Sequence, residues 1–293
     1  MSDLQSIRRS IDSAETLGAI VNTMKALASS NILQFQSAAD ASQDYRRILD
    51  MSLSVVMADD GEQGEEQEEQ EDIGARGSLH IVFGSDYGLA GRFNERISTF
   101  ALDEIPPRED HFVVAVGHQV ESRMDEHLAL VASFGVPQTV DGITSSVQRL
   151  LTQIEGFSRV AQVWLYYNRP VDGINFTEVK ERLLPLSPDE LIANGSDVGW
   201  KSLPTYFVER EALLSHLLQQ YFFITLYRAF CYSLAAENAS RLASMQGAER
   251  NIRERKEELN FRYRLERQNN ITAEINDVIS GFKAIQSQKL RRR

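Results

Sequence analysis

The chain has 293 residues, 42% of them hydrophobic, enough to bury a real core in one large domain or two ordinary ones. Its formal charge is -11, but the run DDGEQGEEQEEQED at 59–72 concentrates acid without a single base, and the remainder is nearly balanced. A nucleic-acid binder shows a basic excess that releases counterions from phosphates, which excludes that class at whole-chain level, and the lone Cys231 excludes an internal disulfide or a CxxC metal or redox pair.

From Asp3 to about Met57 there is no proline, and Leu4, Ile7, Ile11, Ala14, Leu17, Val21, Met24 and Leu27 or Ala28 recur at three-and-four spacing. This predicts a long helix over 1–57, spanning roughly 80 Å at ~1.5 Å per residue. The acidic run follows, too polar and too densely charged to pack, and reads as a disordered linker over 58–76. It lacks the alternating ligand spacing and turn glycine of an EF-hand loop.

Over 77–204 the pattern changes. SLHIVFG, HFVVAVG, LALVASF and VAQVWLYYNR read as strands, separated by helix-like LAGRFNERISTFALDE, a helix near 118–128, and TSSVQRLLTQIEGF. Strand alternating with helix predicts a Rossmann-like α/β domain with a mostly parallel sheet, and NFTEV and ERLLPL add two strand-like pieces at an antiparallel edge. Within it, GSDYGLAGRFN raises the question of a phosphate cradle. Its glycines follow a strand and precede a helix, but the spacing matches neither G-x-G-x-x-G nor G-x-x-x-x-G-K-[ST], no lysine follows, and Asp86 would stand where phosphate oxygens go. Ser85 and Asp86 are better read as capping backbone donors, with Gly88 and Gly91 shaping a structural turn.

After Pro204, residues 205–293 carry a second long helix, from about Phe207 to Ile285, with a narrow seam of Leu234, Met245, Ile252, Leu259, Tyr263, Ile271, Ile275, Val278 and Phe282. A stripe of that length needs another helix to cover it, and the first helix is the available cover. The fold class expected is therefore an α/β insert domain plus a long antiparallel coiled coil of the N- and C-terminal helices. Cys231 lies in the apolar run YFFITLYRAFCYSLAA, too short to span a membrane and carrying Arg228, so a packed helix and a buried thiol are expected. The N-terminus has no apolar h-region, so no secretion signal is expected. The five histidines form no HExxH or other local metal pair, there is no GxSxG elbow, and neither a catalytic site, a metal nor a cofactor is expected.

The segments IRRSIDSAETLGAIVNTMKALASSNI, SDYGLAGRFN, YYNRPVDGINFTEVKERLLPL, LYRAFCYSLAAENASRLASMQGAERN and ERQNNITAEINDVISGFKAI together resemble the gamma subunit of F-type ATP synthases. The likeness runs through nearly the whole chain, and the C-terminal helix is its most specific part. It implies a non-catalytic central-stalk rotor, one copy per complex, coupling ion flow through a membrane ring to the catalytic alpha and beta subunits. Epsilon and the c-ring would be further partners, and the location would be peripheral, on the cytoplasmic face of a bacterial inner membrane. By the same resemblance, Met24, Lys25, Arg241, Arg267 and Gln268 fall on partner-interface positions facing beta subunits. The chain departs from the family in lacking the usual basic residue within ALASSNI, in carrying the acidic insert, and in ending on the basic tail QSQKLRRR. It also has no insert for a regulatory disulfide. These departures imply a divergent member, compatible with an alternative F-type ATPase. Two rivals are a free-standing coiled-coil scaffold bearing an α/β module, and an α/β enzyme with a helical stalk that binds a ligand at GSDYGLAG.

Overall fold

The computed structural model describes residues 2–58, 77–108, 110–125, 128, 130–157, 160–173, 175–186 and 205–291. The acidic linker, His127, most of the loop after Leu186 and the last two arginines lie outside them. Two long helices, α1 (Ser2–Ala58) and α5 (Arg210–Arg291), enclose in sequence a five-stranded mixed sheet. The chain divides into two compact units, Met1–Ala26 with Met245–Arg293, and Leu27–Ser244, so each long helix contributes to both.

In the larger unit the strands are β1 (Gly77–Phe83), β2 (His111–Val116), β3 (Leu130–Phe134), β4 (Val160–Pro170) and β5 (Phe176–Leu184), in spatial order β3-β2-β1-β4-β5. The first four run parallel, and β5 closes one edge antiparallel to β4, with Tyr166 opposite Lys180. Period-two alternation sends Leu79, Ile81, Phe83, Val114, Val116, Val163 and Leu165 to one face, and Val82, Val113, Ala115 and Tyr166 to the other. The chain steps outward from β1 to β3 through α2 (Phe93–Glu104) and α3 (His118–Met124), then reverses to β4 through α4 (Val140–Glu155). Right-handed crossovers in opposite directions must lie on opposite faces. Accordingly Ile97, Ala101, Val120 and Met124 cover one face, while Ile143, Val147 and Leu150 of α4 cover the other. Each of these three fully buried side chains contributes about 2 kcal/mol by burial.

The α4 face is also where the long helices pack. Phe35 and Ala39 of α1, with Leu226, Phe230, Cys231 and Leu234 of α5, join its core, and Phe230 meets Phe83 edge-on at 4.9 Å. Cys231 is wholly buried, and burial pushes its thiol up to about 12, which keeps it an inert core atom. Among the described residues, no helix is long and apolar enough to cross a membrane.

Several boundaries differ from the sequence pattern, among them the start of α4 at Val140 rather than Thr144. Helix α2 begins at Phe93 rather than Leu89, because Leu89 (φ 65°) and Gly91 (φ 56°) adopt left-handed conformations that a helix cannot contain. The pieces NFTEV and ERLLPL form one strand, β5, in which Lys180 turns its charge over the Trp164 ring at 4.7 Å, so a polar residue continues the ladder. The helix expected near 118–128 ends at Met124.

In the smaller unit, Glu15 of α1 pairs with Lys256 of α5 at 2.7 Å, and Lys25 with Glu249 at 2.5 Å, partner numbers falling in α5 as they rise in α1. Ala14 and Val21 are buried, as are Met245 and Leu259. Leu17, although on the apolar stripe of the sequence, is 53% exposed.

Candidate functional site

The turn after β1 is fixed from several sides within the larger unit. Ser85 is fully buried; its amide donates to Asn94 Oδ1 at 3.0 Å, its hydroxyl donates to the Tyr87 carbonyl at 2.9 Å, and Asn94 Nδ2 donates back to the Ser85 hydroxyl at 2.8 Å. Asp86 accepts from the amides of His118 at 3.3 Å and Val136 at 2.9 Å. The donors it satisfies therefore belong to the segments after β2 and β3, not to the helix that follows it in sequence, whose N-cap position is Arg92 with no side-chain cap. One carboxylate thus ties together the carboxyl ends of three neighbouring strands.

Gly91 requires its lack of a side chain twice over: its φ is 56°, and a Cβ there would stand 2.8 Å from Ser244 Oγ. Gly88 has open space around it. Gly84, absent from the expected turn residues, is a site of close approach, since a Cβ would lie 2.0 Å from Val120 Cγ2. Ser240 of α5 donates to the Ala90 carbonyl at 2.6 Å, so the turn is closed by a helix rather than left open as a phosphate cradle would be.

Arg241 lies one residue beyond that contact. Its guanidinium is turned inward, Nη2 donating to Glu237 Oε1 at 2.5 Å, with side-chain exposures of 17% and 6%. Burial lifts the Glu237 carboxyl to about 6 against the opposing pull of Arg241, and the nearby Asp86 charge adds to the rise. The family resemblance implied a partner interface for Arg241, and Glu237 was not singled out, although the four-residue spacing of the pair was visible.

The smaller unit holds the other four predicted contact residues. Met24 is half-buried, and Lys25 spends its charge on Glu249, whose carboxyl that hydrogen bond holds below the ordinary range. Arg267 and Gln268 are exposed on α5. Beyond them residues 271–281 are exposed without exception, including Ile271, Ile275, Val278 at 72% and Ile279. The seam of α5 is thus buried at Leu259, half-buried at Tyr263 and uncovered at Ile271, Ile275 and Val278.

Among the described residues, two histidines have neighbours that account for them. His80 is buried, with Nδ1 3.1 Å from the Tyr166 hydroxyl and Nε2 2.8 Å from His111 Nδ1, and burial first, then His111 and Lys180, lowers it to about 3. His118 pairs with Glu121 on the surface at 3.0 Å. Among the described residues, no group of three or more histidine, cysteine or acidic side chains could hold a metal ion.

Comparison with known proteins agrees along the whole length. The family model described as ATP synthase matches residues 3–285. An ATP synthase gamma chain from Anaeromyxobacter dehalogenans is 26% identical over 294 residues, covering 97% of this chain and all of the relative. Among solved structures, a chain of the Euglena gracilis mitochondrial ATP synthase (OSCP/F1/c-ring) superposes with a TM-score of 0.71 at 14% identity, over 98% of this chain and 96% of that one. A chain of the Tetrahymena thermophila mitochondrial ATP synthase central stalk/c-ring gives 0.56 at 20% identity, over 78% and 99%. With a family model spanning nearly every residue and a relative matched from end to end, the chain belongs to the ATP synthase family.

Proposed function

We propose that this chain is the gamma subunit of an F-type ATP synthase, the central-stalk rotor that couples ion flow through the membrane ring to conformational cycling of the catalytic alpha and beta subunits. The observation that carries the reading is the uncovered end of α5, where Ile271, Ile275, Val278 and Ile279 face outward. A helix with a bare apolar stripe is stable in water only when something covers it, and a surrounding ring of subunits is a suitable cover. In this reading residues 1–57 and 205–293 form an antiparallel coiled-coil shaft, 58–76 a linker, and 77–204 the domain that docks on epsilon and the c-ring. The chain is present once per complex, carries no catalytic site or cofactor of its own, and lies peripherally on the cytoplasmic face of a bacterial inner membrane. Ser85, Asp86, Gly88 and Gly91 serve the turn, not a ligand.

A rotor has to transmit torque without locking at one angle, so its contacts with the ring should be numerous, asymmetric and individually weak. Exposed charge contacts worth about 0–1 kcal/mol meet that need. Arg241, Arg267 and Gln268 engage beta-subunit loops in this scheme, and Met24 and Lys25 contact the lower part of the beta subunits. Each rotor angle then favours one set of subunit conformations by differential contact, a population shift with a mechanical ligand. The test is affinity capture of the tagged chain from native membranes in mild detergent, with mass spectrometry and ATPase assay of the eluate. Alpha and beta subunits with ATPase activity are expected; the chain alone, reproduced at low salt, would refute the rotor reading in favour of a free-standing scaffold.

A further inference from the structure

Where the long helices lie on the sheet of the larger unit, the buried contact is apolar, including Phe35 and Ala39 of α1, and Leu226, Phe230, Cys231 and Leu234 of α5. Apolar burial resists separation but is non-directional, so by itself it does not select one register of helix on sheet. A polar cluster interrupts it. Glu181 of β5 receives the Arg228 guanidinium from α5, stands 3.8 Å from Arg46 Nη1 of α1, and accepts a hydrogen bond from the Tyr167 hydroxyl of β4 at 2.7 Å. Arg46 extends the link, donating to Asp50 at 3.0 Å, to Thr225 Oγ1 at 2.6 Å and to the Tyr221 hydroxyl, whose ring centre lies 3.8 Å from the guanidinium carbon. Arg228 also reaches Gln43 of α1 at 3.5 Å.

One carboxylate on the sheet edge therefore holds cations from both long helices. Such a cluster is a poor source of stability, because desolvation offsets much of the attraction, and here Arg228 Nε is buried without a hydrogen-bond partner. Directional bonds supply something the apolar surface lacks, a fixed register between helix and sheet.

We propose that Glu181, with Arg46 and Arg228, is the clamp through which torque passes between the sheet and the two long helices, an inference that rests on the rotor reading above. α1 and α5 run on as unbroken helices from the clamp into the smaller unit, so a register held there is carried along both. Without the clamp the parts stay associated, but load applied at the sheet is lost as slip.

The deciding variant is the triple Tyr167→Phe, Glu181→Leu, Arg228→Met, which replaces the link by packing groups while Arg46 keeps Asp50, Thr225 and Tyr221. It is assembled into the complete complex in sealed inverted vesicles, and ATP hydrolysis and gradient-driven ATP synthesis are measured on the same preparation. The clamp predicts retained hydrolysis with the synthesis-to-hydrolysis ratio lowered relative to wild type. A ratio equal to wild type, or equal losses of both activities per assembled complex, overturns it. Should the triple variant fail to assemble, Glu181→Gln is measured in the same way: a lowered ratio supports the clamp, and an unchanged ratio or equal losses overturn it. Failure of the rotor reading itself shows separately, as wild-type chain that does not co-purify with ATPase.

Discussion

Replacing Glu237 with glutamine should stabilise the protein above pH 6 and do little below pH 4.5. Glu237 is 5% exposed and meets Arg241 from its own helix and the Asp86 charge from the turn after β1, yet burial dominates and lifts its carboxyl from 4.5 to about 6. In the window between those values the folded state holds a proton that the unfolded state has released. Stability from this group is therefore fully present below about 4.5 and is lost as pH rises through about 6. A rise of this size corresponds to about 2 kcal/mol, at ~1.4 kcal/mol for each pH unit of the window. Glutamine keeps the volume, can still accept from Arg241, and carries no charge to desolvate. The assay is urea unfolding of wild type and Glu237→Gln in parallel from pH 4 to 8, taking the difference at each pH so that all other titrating groups cancel. The stability difference in favour of glutamine should grow by about 2 kcal/mol across the window and then level off. A pH-independent difference, or one that moves toward wild type as pH rises, would show that the Arg241 pair outweighs desolvation and would refute the reasoning.

Gly91→Ala places a Cβ in a left-handed conformation and 2.8 Å from Ser244 Oγ, and should cost about 1–2 kcal/mol for the backbone alone. Adding Ser244→Ala should recover only the steric part, while Gly88→Ala, with open space around it, should stay within about 0.5 kcal/mol in the same thermal melts. Lys25→Ala removes a partly exposed pair with Glu249, so the purified chain should lose no more than about 1 kcal/mol, measured by denaturant midpoint. Arg267→Gln should leave helix content by circular dichroism unchanged while lowering ATP turnover of the assembled complex; loss of both in proportion would reject a contact role for this exposed residue.

The parallel strands were legible because β-branched runs such as HIVF and FVVAV leave few alternatives, and the body of α4 because Val147, Leu150 and Ile154 recur at helical spacing, while its first turn with Ile143 was missed. Geometry that depends on distant partners left no such trace. Asp86 finds its two amide donors 32 and 50 residues away, and nothing in SDYG distinguishes that from capping the next helix. Arg241 and Arg267 look alike in sequence, each an arginine on a long helix, yet one is sequestered by Glu237 and the other is exposed, a difference set by the turn packed over α5 near Ser240. Glu181 reads as an ordinary polar strand residue until α1 and α5 bring arginines to it.

The span between partners also bears on how the chain is made. Lys25 meets a carboxylate 224 residues further on, and Arg46 meets Tyr221 across 175. At synthesis rates of about 5–20 residues per second, α1 waits roughly 10 to 45 s for the helix that completes its contacts. During that interval its apolar stripe has no native cover, and the sheet, whose α4 face is finished by α5, cannot close its core either. Biogenesis should therefore be most vulnerable before the last third of the chain leaves the ribosome, and a chaperone that shields amphipathic helices should raise the yield of this protein more than that of a domain with local contacts.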